Sequence, residues 1–229
     1  MEELSIHELF DRNSFDPYRY LKEIKRIGSF TAIRNHKGLV YQRNYERGLL
    51  FIFLCKMFKP SNFLEVGCGR GFVCASITKF FPKIKITTID KDIEFSKKHI
   101  EQAGISMDSM KFIHKRTKDV GKEDLNSETF DLSFVDAGHT YEYVSADYKN
   151  FSQSMNPSGI MVFDDYSKKF PGIVDFVNND LKGNKILVYT DGWYYENVAI
   201  HLTGNANRIV NGREEGSGIV ILLPEDESL

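Results

Sequence analysis

No apolar run in this chain is longer than seven residues, Leu49–Cys55. That is far short of the ~20 residues a membrane-crossing helix needs. There are only three cysteines, Cys55, Cys68 and Cys74, in neither an even number nor a metal-binding spacing. A disulfide framework and a zinc knuckle are excluded, and a reducing compartment is expected. The amino terminus, Met1-Glu2-Glu3-Leu4, is acidic and has no basic and apolar stretches of the kind that mark a signal peptide. A cytoplasmic protein without membrane contact is expected. An excess of either sign of charge is also lacking: the formal net charge is −2 and the isoelectric point about 6.3. This argues against an extended nucleic-acid footprint, which needs a basic face. The 229 residues show no internal repeat and no low-complexity linker, and 41% are hydrophobic against 27% charged, so a folded core is expected.

What is present is an alternation of two periods. Residues 1–60 read as helical, with turns near Asp16-Pro17 and Lys37-Gly38, and the helix Tyr41–Phe58 stops at Lys59-Pro60. Then come strands over 62–67, 84–90, 110–115, 130–136 and 160–164, with helices over 71–80, 92–103, 140–155 and 172–182 and a polar segment over 117–128. Three further strands are expected at 185–190, 197–203 and 217–223. Strands alternating with helices imply an α/β fold with a doubly wound, mostly parallel sheet, expected to hold seven strands although eight segments read as strand. The last two strands have no helix between them, so an antiparallel hairpin is expected at one edge. The division is an N-terminal helical extension, 1–60, packed on a core domain, 61–229. The loop 204–217 is long for a hairpin and is read equally as a lid or as disorder.

The most specific segment is Phe63-Leu64-Glu65-Val66-Gly67-Cys68-Gly69-Arg70-Gly71. An apolar strand runs into a glycine turn, and an apolar helix pattern follows at once. Glycines let backbone approach a ligand closely, and the helix behind offers free N–H groups. The dinucleotide fingerprint is G-x-G-x-x-G; here the spacing is G-x-G-x-G, with Glu65 two residues ahead. The next strand, Lys85–Ile89, ends at Asp90, where a carboxylate accepts hydrogen bonds from ribose hydroxyls or caps the helix that follows.

Further on, strand ends bring more carboxylates. One reads Phe134-Val135-Asp136-Ala137-Gly138-His139, the other Val162-Phe163-Asp164-Asp165-Tyr166. In an open α/β sheet, ligands bind beyond the carboxyl ends of the strands. If these strands are neighbours, Asp136, Asp164 and Asp165 converge, and such a cluster calls for a cation. Oxygen ligands suit Mg²⁺, Mn²⁺ or Ca²⁺ rather than zinc. Taken singly, Asp136 reads equally as a helix cap, Asp164-Asp165 as a solvated turn and His139 as structural.

The acidic strand residue with the tight glycine spacing resembles the first motif of class I S-adenosylmethionine methyltransferases. Asp136-x-x-His139 followed by Pro157-x-Gly159 and Asp164-Asp165-Tyr166 is similar to the metal-dependent small-molecule O-methyltransferases of the catechol and macrolide-sugar types, over roughly residues 40–200. The resemblance implies a Rossmann-like methyltransferase fold with S-adenosylmethionine as cofactor, held by Glu65, Gly67, Gly69, Gly71, Asp90 and Asp136. Thr117 and Lys118 would lie near the adenine. It implies Mg²⁺, or another hard divalent ion such as Mn²⁺, on Asp136, Asp164 and Asp165, with His139 as the catalytic base. The activity it implies is O-methylation of a small hydroxylated molecule, a sugar or natural-product moiety. The competing readings are metal-free methylation of an amine or carboxylate and a non-catalytic cofactor-binding module. Trp193-Tyr194-Tyr195 is read as packing or as part of an acceptor pocket. The stretch Tyr41–Arg47 either closes over the cofactor or forms a contact between copies, so a homo-oligomer is an open expectation.

Overall fold

The structure, a computed structural model, describes residues 1–32, 42–190, 218–224, 227 and 229, except for the side chains of Gln42 and Arg43. The strand expected at 197–203, the loop 204–217 and Trp193-Tyr194-Tyr195 lie outside the described residues. Eight strands form one sheet: β1 (Glu2–Ser5), β2 (Asn62–Val66), β3 (Lys85–Asp90), β4 (Met110–His114), β5 (Phe130–Val135), β6 (Met155–Tyr166), β7 (Asn184–Tyr189) and β8 (Gly218–Leu223). The helices are α1 (Ile6–Arg12), α2 (Tyr18–Thr31), α3 (Gln42–Phe58), α4 (Phe72–Phe80), α5 (Ile93–Gln102), α6 (Tyr141–Phe151) and α7 (Pro171–Asn179).

The spatial order is β1-β7-β8-β6-β5-β2-β3-β4. β8 runs antiparallel to β6 and β7, and every other pairing is parallel. The mostly parallel, doubly wound fold is therefore as the sequence implies, but the antiparallel strand β8 lies between β7 and β6, whereas the hairpin expected of it involves 197–203, outside the described residues. The addition is β1. The sequence reads residues 1–60 as helical, yet Glu2–Ser5 pair with Ile186–Tyr189 and form the outermost strand. Four residues carry too little periodicity to signal a strand; what defines it is the free edge of β7. Ser5 ends it and opens α1 by a reciprocal cap: its Oγ accepts the Glu8 N–H at 3.1 Å, and the Glu8 carboxylate accepts the Ser5 N–H at 2.7 Å.

Alternation along the strands fills two cores. Phe63, Ile86, Leu132, Phe134 and Val162 face α1–α5, while Leu64, Val66, Ile89, Val135 and Phe163 face α6 and α7. β2 continues to β3 and β4 on one side, while β5 and β6 lie on the other. The chain thus switches direction between β2 and β5. A crevice opens there at the carboxyl ends of the strands, between the turn after Val66 and the turn after Val135.

β6 is longer than the expected 160–164. It starts at Met155, opposite Phe130, and a register shift between Phe130 and Leu132 accommodates Pro157, which has no N–H to give to a ladder. Near its other end, Phe163 pairs with Val220 but Tyr166 with Gly218, so one extra residue bulges out at Asp164-Asp165. Asp165 takes a left-handed backbone, φ +61°, a conformation uncommon for a side-chain-bearing residue.

Candidate active site

The glycine turn forms the floor of the crevice, and its three glycines serve different needs. Gly67 has φ +94°, and a Cβ there would stand 2.2 Å from the Asp136 carbonyl oxygen. It is forced by the crossing of the two turns, which also share the Asp136 N–H to Val66 carbonyl bond of 2.8 Å. Gly71, φ +80°, would press a Cβ to 2.5 Å from Ile100. Gly69, φ +54°, would meet nothing within 4 Å. Open space lies above Gly69 alone, so this is the glycine at which a ligand approaches the turn.

Two cavities flank this floor and share Gly67, Gly69 and Asp136. The first, about 220 Å³, includes Arg47, Glu65, Cys68, His139, Asp165 and Phe170 among its walls. The second, about 390 Å³, includes Asp90, Lys91, Arg116, Thr117, Lys118 and Tyr143. Together they make a trough across the turn.

Glu65 lies on β2 with only 1% of its surface exposed. Burial lifts its carboxyl well above the usual range, partly offset by the Thr88 hydroxyl donating to it at 2.9 Å. Asp90 is already engaged. One oxygen accepts the Cys68 and Gly69 N–H groups, both at 2.9 Å, and the other accepts the Asp92 N–H at 2.9 Å. Asp90 therefore ties the end of β3 to the glycine turn. The helix cap considered for it belongs to Asp92, which accepts the Phe95 N–H at 3.2 Å. Thr117 and Lys118 stand on a one-turn 3₁₀ helix across the second cavity from Asp90.

At the far end, Asp136, His139 and Asp165 come together, one ligand atom from each lying within 4.8 Å of the others. His139 Nε2 is 2.9 Å from Asp165 Oδ2 and 4.0 Å from Asp136 Oδ1. Its ring stacks on Phe170 at 4.5 Å. The hydrogen bond to Asp165 outweighs partial burial and raises the imidazole pKa above the ordinary histidine value. Asp164 is not in that group. Its carboxylate is engaged by Arg47, which also donates to Asp136 Oδ2 at 3.0 Å.

Arg47 is the site residue that the sequence signals least. It projects from α3 with 7% of its side chain exposed. Burial alone would lower its pKa, but Asp164, Asp136 and Asp165 more than compensate and hold it raised. The sequence offers it only within the stretch Tyr41–Arg47, read as closing over the cofactor or as a contact between copies, and just before the wholly buried run Leu49–Cys55. Three carboxylates face one guanidinium and one imidazole. Negative charge is left over, and oxygen donors with an open side suit a hard divalent ion. The residues fit such an ion.

Residues 64–166 match the family model described as Methyltransferase domain. Over those residues the chain is similar to a methyltransferase domain. Among curated proteins, ribosomal RNA small subunit methyltransferase G of Thermoanaerobacter pseudethanolicus is 31% identical over 134 residues, 57% of this chain and 55% of that protein. The same-named protein of Lactobacillus acidophilus is 30% identical over 139 residues, 57% of each. The chain thus spans about half the length of these relatives. Among solved structures, an O-methyltransferase from Bacillus cereus in complex with SAH superposes with TM-score 0.55 at 13% identity, covering 90% of both chains. A tRNA (m1A58) methyltransferase from Aquifex aeolicus gives TM-score 0.55 at 13% identity, covering 86% of this chain and 74% of that one. At such identities the superpositions speak for the fold.

One expectation is overturned. Near-neutral charge argues against a nucleic-acid partner, yet the curated sequence relatives are named as ribosomal RNA methyltransferases. The whole-chain charge averages over the surface and hides local clustering: Lys91, Arg116 and Lys118 all line the second cavity. Among the described residues, no helix is long and apolar enough to cross a membrane.

Proposed function

We propose that this chain methylates an oxygen of a hydroxylated acceptor, a sugar or natural-product moiety, using S-adenosylmethionine and a divalent ion such as Mg²⁺ or Mn²⁺. The observation that carries the reading is the meeting of Asp136, His139 and Asp165 where the trough passes the glycine turn. Bound there, S-adenosylmethionine would supply an electrophilic methyl group, and a divalent ion held by Asp136 and Asp165 would lower the pKa of an acceptor hydroxyl.

The chain's own residues do the rest. Gly67 and Gly69 shape the floor, and Glu65 presents a buried carboxyl to the amino-acid end of the cofactor. An ammonium group against it would favour its ionised form. Asp90 holds the turn in shape and, with one lone pair still open, faces the ribose across from Thr117 and Lys118. Asp136 and Asp165 offer oxygens to the ion, with Asp164 alongside, its charge balanced by Arg47. His139, oriented by Asp165 and by stacking on Phe170, accepts the acceptor's proton. Histidine is suited to that task near neutral pH. Holding donor and acceptor in line adds to the rate.

A second reading is favoured by the ribosomal RNA methyltransferase relatives: a nucleic-acid acceptor, with Arg47 as the resident cation and no metal step. One experiment separates the two. Transfer of a labelled methyl group is followed onto a panel of hydroxylated small molecules and onto bacterial ribosomal RNA, with and without a chelator. The primary reading expects small-molecule labelling that chelation abolishes and Mn²⁺ restores. Labelling of RNA alone, indifferent to chelation, overturns it in favour of the second.

A further inference from the structure

Two thiols sit at the glycine turn, and the proposed chemistry uses neither. Cys68 and Cys74 are both free, and their sulfurs are 3.8 Å apart. Cys74 is fully buried on the first turn of α4, and its thiol donates to the Gly71 carbonyl at 3.3 Å. Cys68 is 6% exposed and lines the first cavity, so a small reagent entering the trough meets it first. The third cysteine, Cys55, is buried on α3.

We propose that Cys68 and Cys74 are a modification site, a thiol pair that a peroxide-class oxidant converts to a disulfide, closing the cofactor turn. Cys68, as thiolate, attacks one peroxide oxygen. The O–O bond breaks, leaving a sulfenic acid on Cys68 and a hydroxide that takes up a proton. The Cys74 sulfur then attacks the Cys68 sulfur. The S–O bond breaks, and the departing hydroxide takes the proton that Cys74 gives up. Two thiols have lost two electrons and one peroxide has become two waters. A dithiol reverses the change by exchange.

The surroundings divide the roles. Once Cys68 is a thiolate, the Cys74 S–H turns to it from the Gly71 carbonyl; that bond draws the Cys68 thiol pKa down and, together with burial, holds Cys74 up and protonated. Bonding requires the sulfurs to close from 3.8 Å to about 2.05 Å. Cys74 is fixed in a helix, so the turn at Cys68 must do the moving. Its N–H is bonded to Asp90 at 2.9 Å, and the Gly67–Gly69 wall of the trough moves with it. Oxidation therefore weakens cofactor binding, and bound cofactor shields Cys68.

The test uses the full chain, treated with graded hydrogen peroxide, then denatured, alkylated and mapped by mass spectrometry. The expected product has lost two hydrogens and carries a Cys68–Cys74 cross-link, with Cys55 still alkylated. Prior addition of S-adenosylhomocysteine slows the cross-link. Calorimetry finds affinity for S-adenosylhomocysteine reduced by about tenfold or more and restored by dithiothreitol. Cys74→Ser forms no cross-link and instead accumulates a sulfenic acid on Cys68, trapped by dimedone. Wild-type thiols that stay alkylatable, a cross-link indifferent to S-adenosylhomocysteine, or unchanged affinity after cross-linking would each overturn the proposal. The proposal rests on the turn being the cofactor site. Reduced protein that binds no S-adenosylhomocysteine would sink that reading, whereas the mass map decides the disulfide separately.

Discussion

Replacing Arg47 by Met tests the electrostatics of the site most severely. The guanidinium donates to Asp136 and Asp164 from a side chain 7% exposed, and Asp164 itself is 5% exposed. Methionine fills similar space but leaves both carboxylates without their cation. Removing one partner of a buried pair costs about 3–5 kcal/mol. For a chain of this size that corresponds to a melting temperature lower by roughly 6–20 °C. The loss should shrink at acidic pH. A buried carboxylate stripped of its cation costs stability while it is ionised, and protonation relieves that penalty. Mn²⁺ should recover part of the loss in the variant and do less in the wild type, because the ion replaces the missing charge. Scanning calorimetry at several pH values, with and without Mn²⁺, measures all three effects. A variant melting within about 2 °C of the wild type would refute the reasoning, since it would mean the carboxylates do not depend on Arg47.

Other residues give independent checks. Asp147 is 1% exposed, has one carboxylate oxygen without a partner, and is pushed up to about 6 by burial, with Thr117 pulling the other way. Its folded-state pKa lies above the unfolded one, so ionised Asp147 costs stability at neutral pH and that cost disappears as pH falls. Asp147→Asn should therefore stabilise by about 1–3 kcal/mol at pH 8, with the gain fading below pH 6 in denaturant titrations; a destabilised variant would contradict this. His139→Ala should slow transfer by roughly 10²–10⁴-fold while leaving S-adenosylhomocysteine binding intact. In the metal-free protein His139 should titrate above histidine's ordinary 6.5 when followed by NMR, and near-normal turnover in the variant would remove the base assignment. Gly67→Ala should destabilise by more than about 1 kcal/mol and abolish cofactor binding, because its Cβ would sit 2.2 Å from the Asp136 carbonyl oxygen; calorimetry showing normal affinity would contradict the turn geometry.

Where periodicity is strong, the sequence announces the fold. Phe63–Val66, Lys85–Asp90 and Phe130–Val135 form strands within one or two residues of expectation, because β-branched and aromatic runs between turn signals leave little alternative. β1 was illegible, since its four residues gain strand form only from the edge of β7. The site was partly legible. Glu65, the glycines, Asp90 and Asp136 stand around the trough because they end strands whose order follows from the fold. Asp164 and Asp165 are consecutive, and consecutive strand residues would point to opposite faces. A bulge and the left-handed Asp165 bring both to the acidic end, and neither feature shows in local composition. Arg47 lies 89 residues from Asp136 along the chain, a pairing that no short motif encodes.

The account turns on the acidic end of the trough holding a divalent ion beside the cofactor. Crystals grown with S-adenosylhomocysteine and Mn²⁺, measured at the manganese absorption edge, test this most directly. The account predicts an anomalous peak about 2.0–2.6 Å from carboxylate oxygens of Asp136 and Asp165, with His139 alongside and S-adenosylhomocysteine lying over Gly69. Clear S-adenosylhomocysteine in the trough with no anomalous peak near those carboxylates, and Arg47 still bound to Asp136 and Asp164, would contradict it.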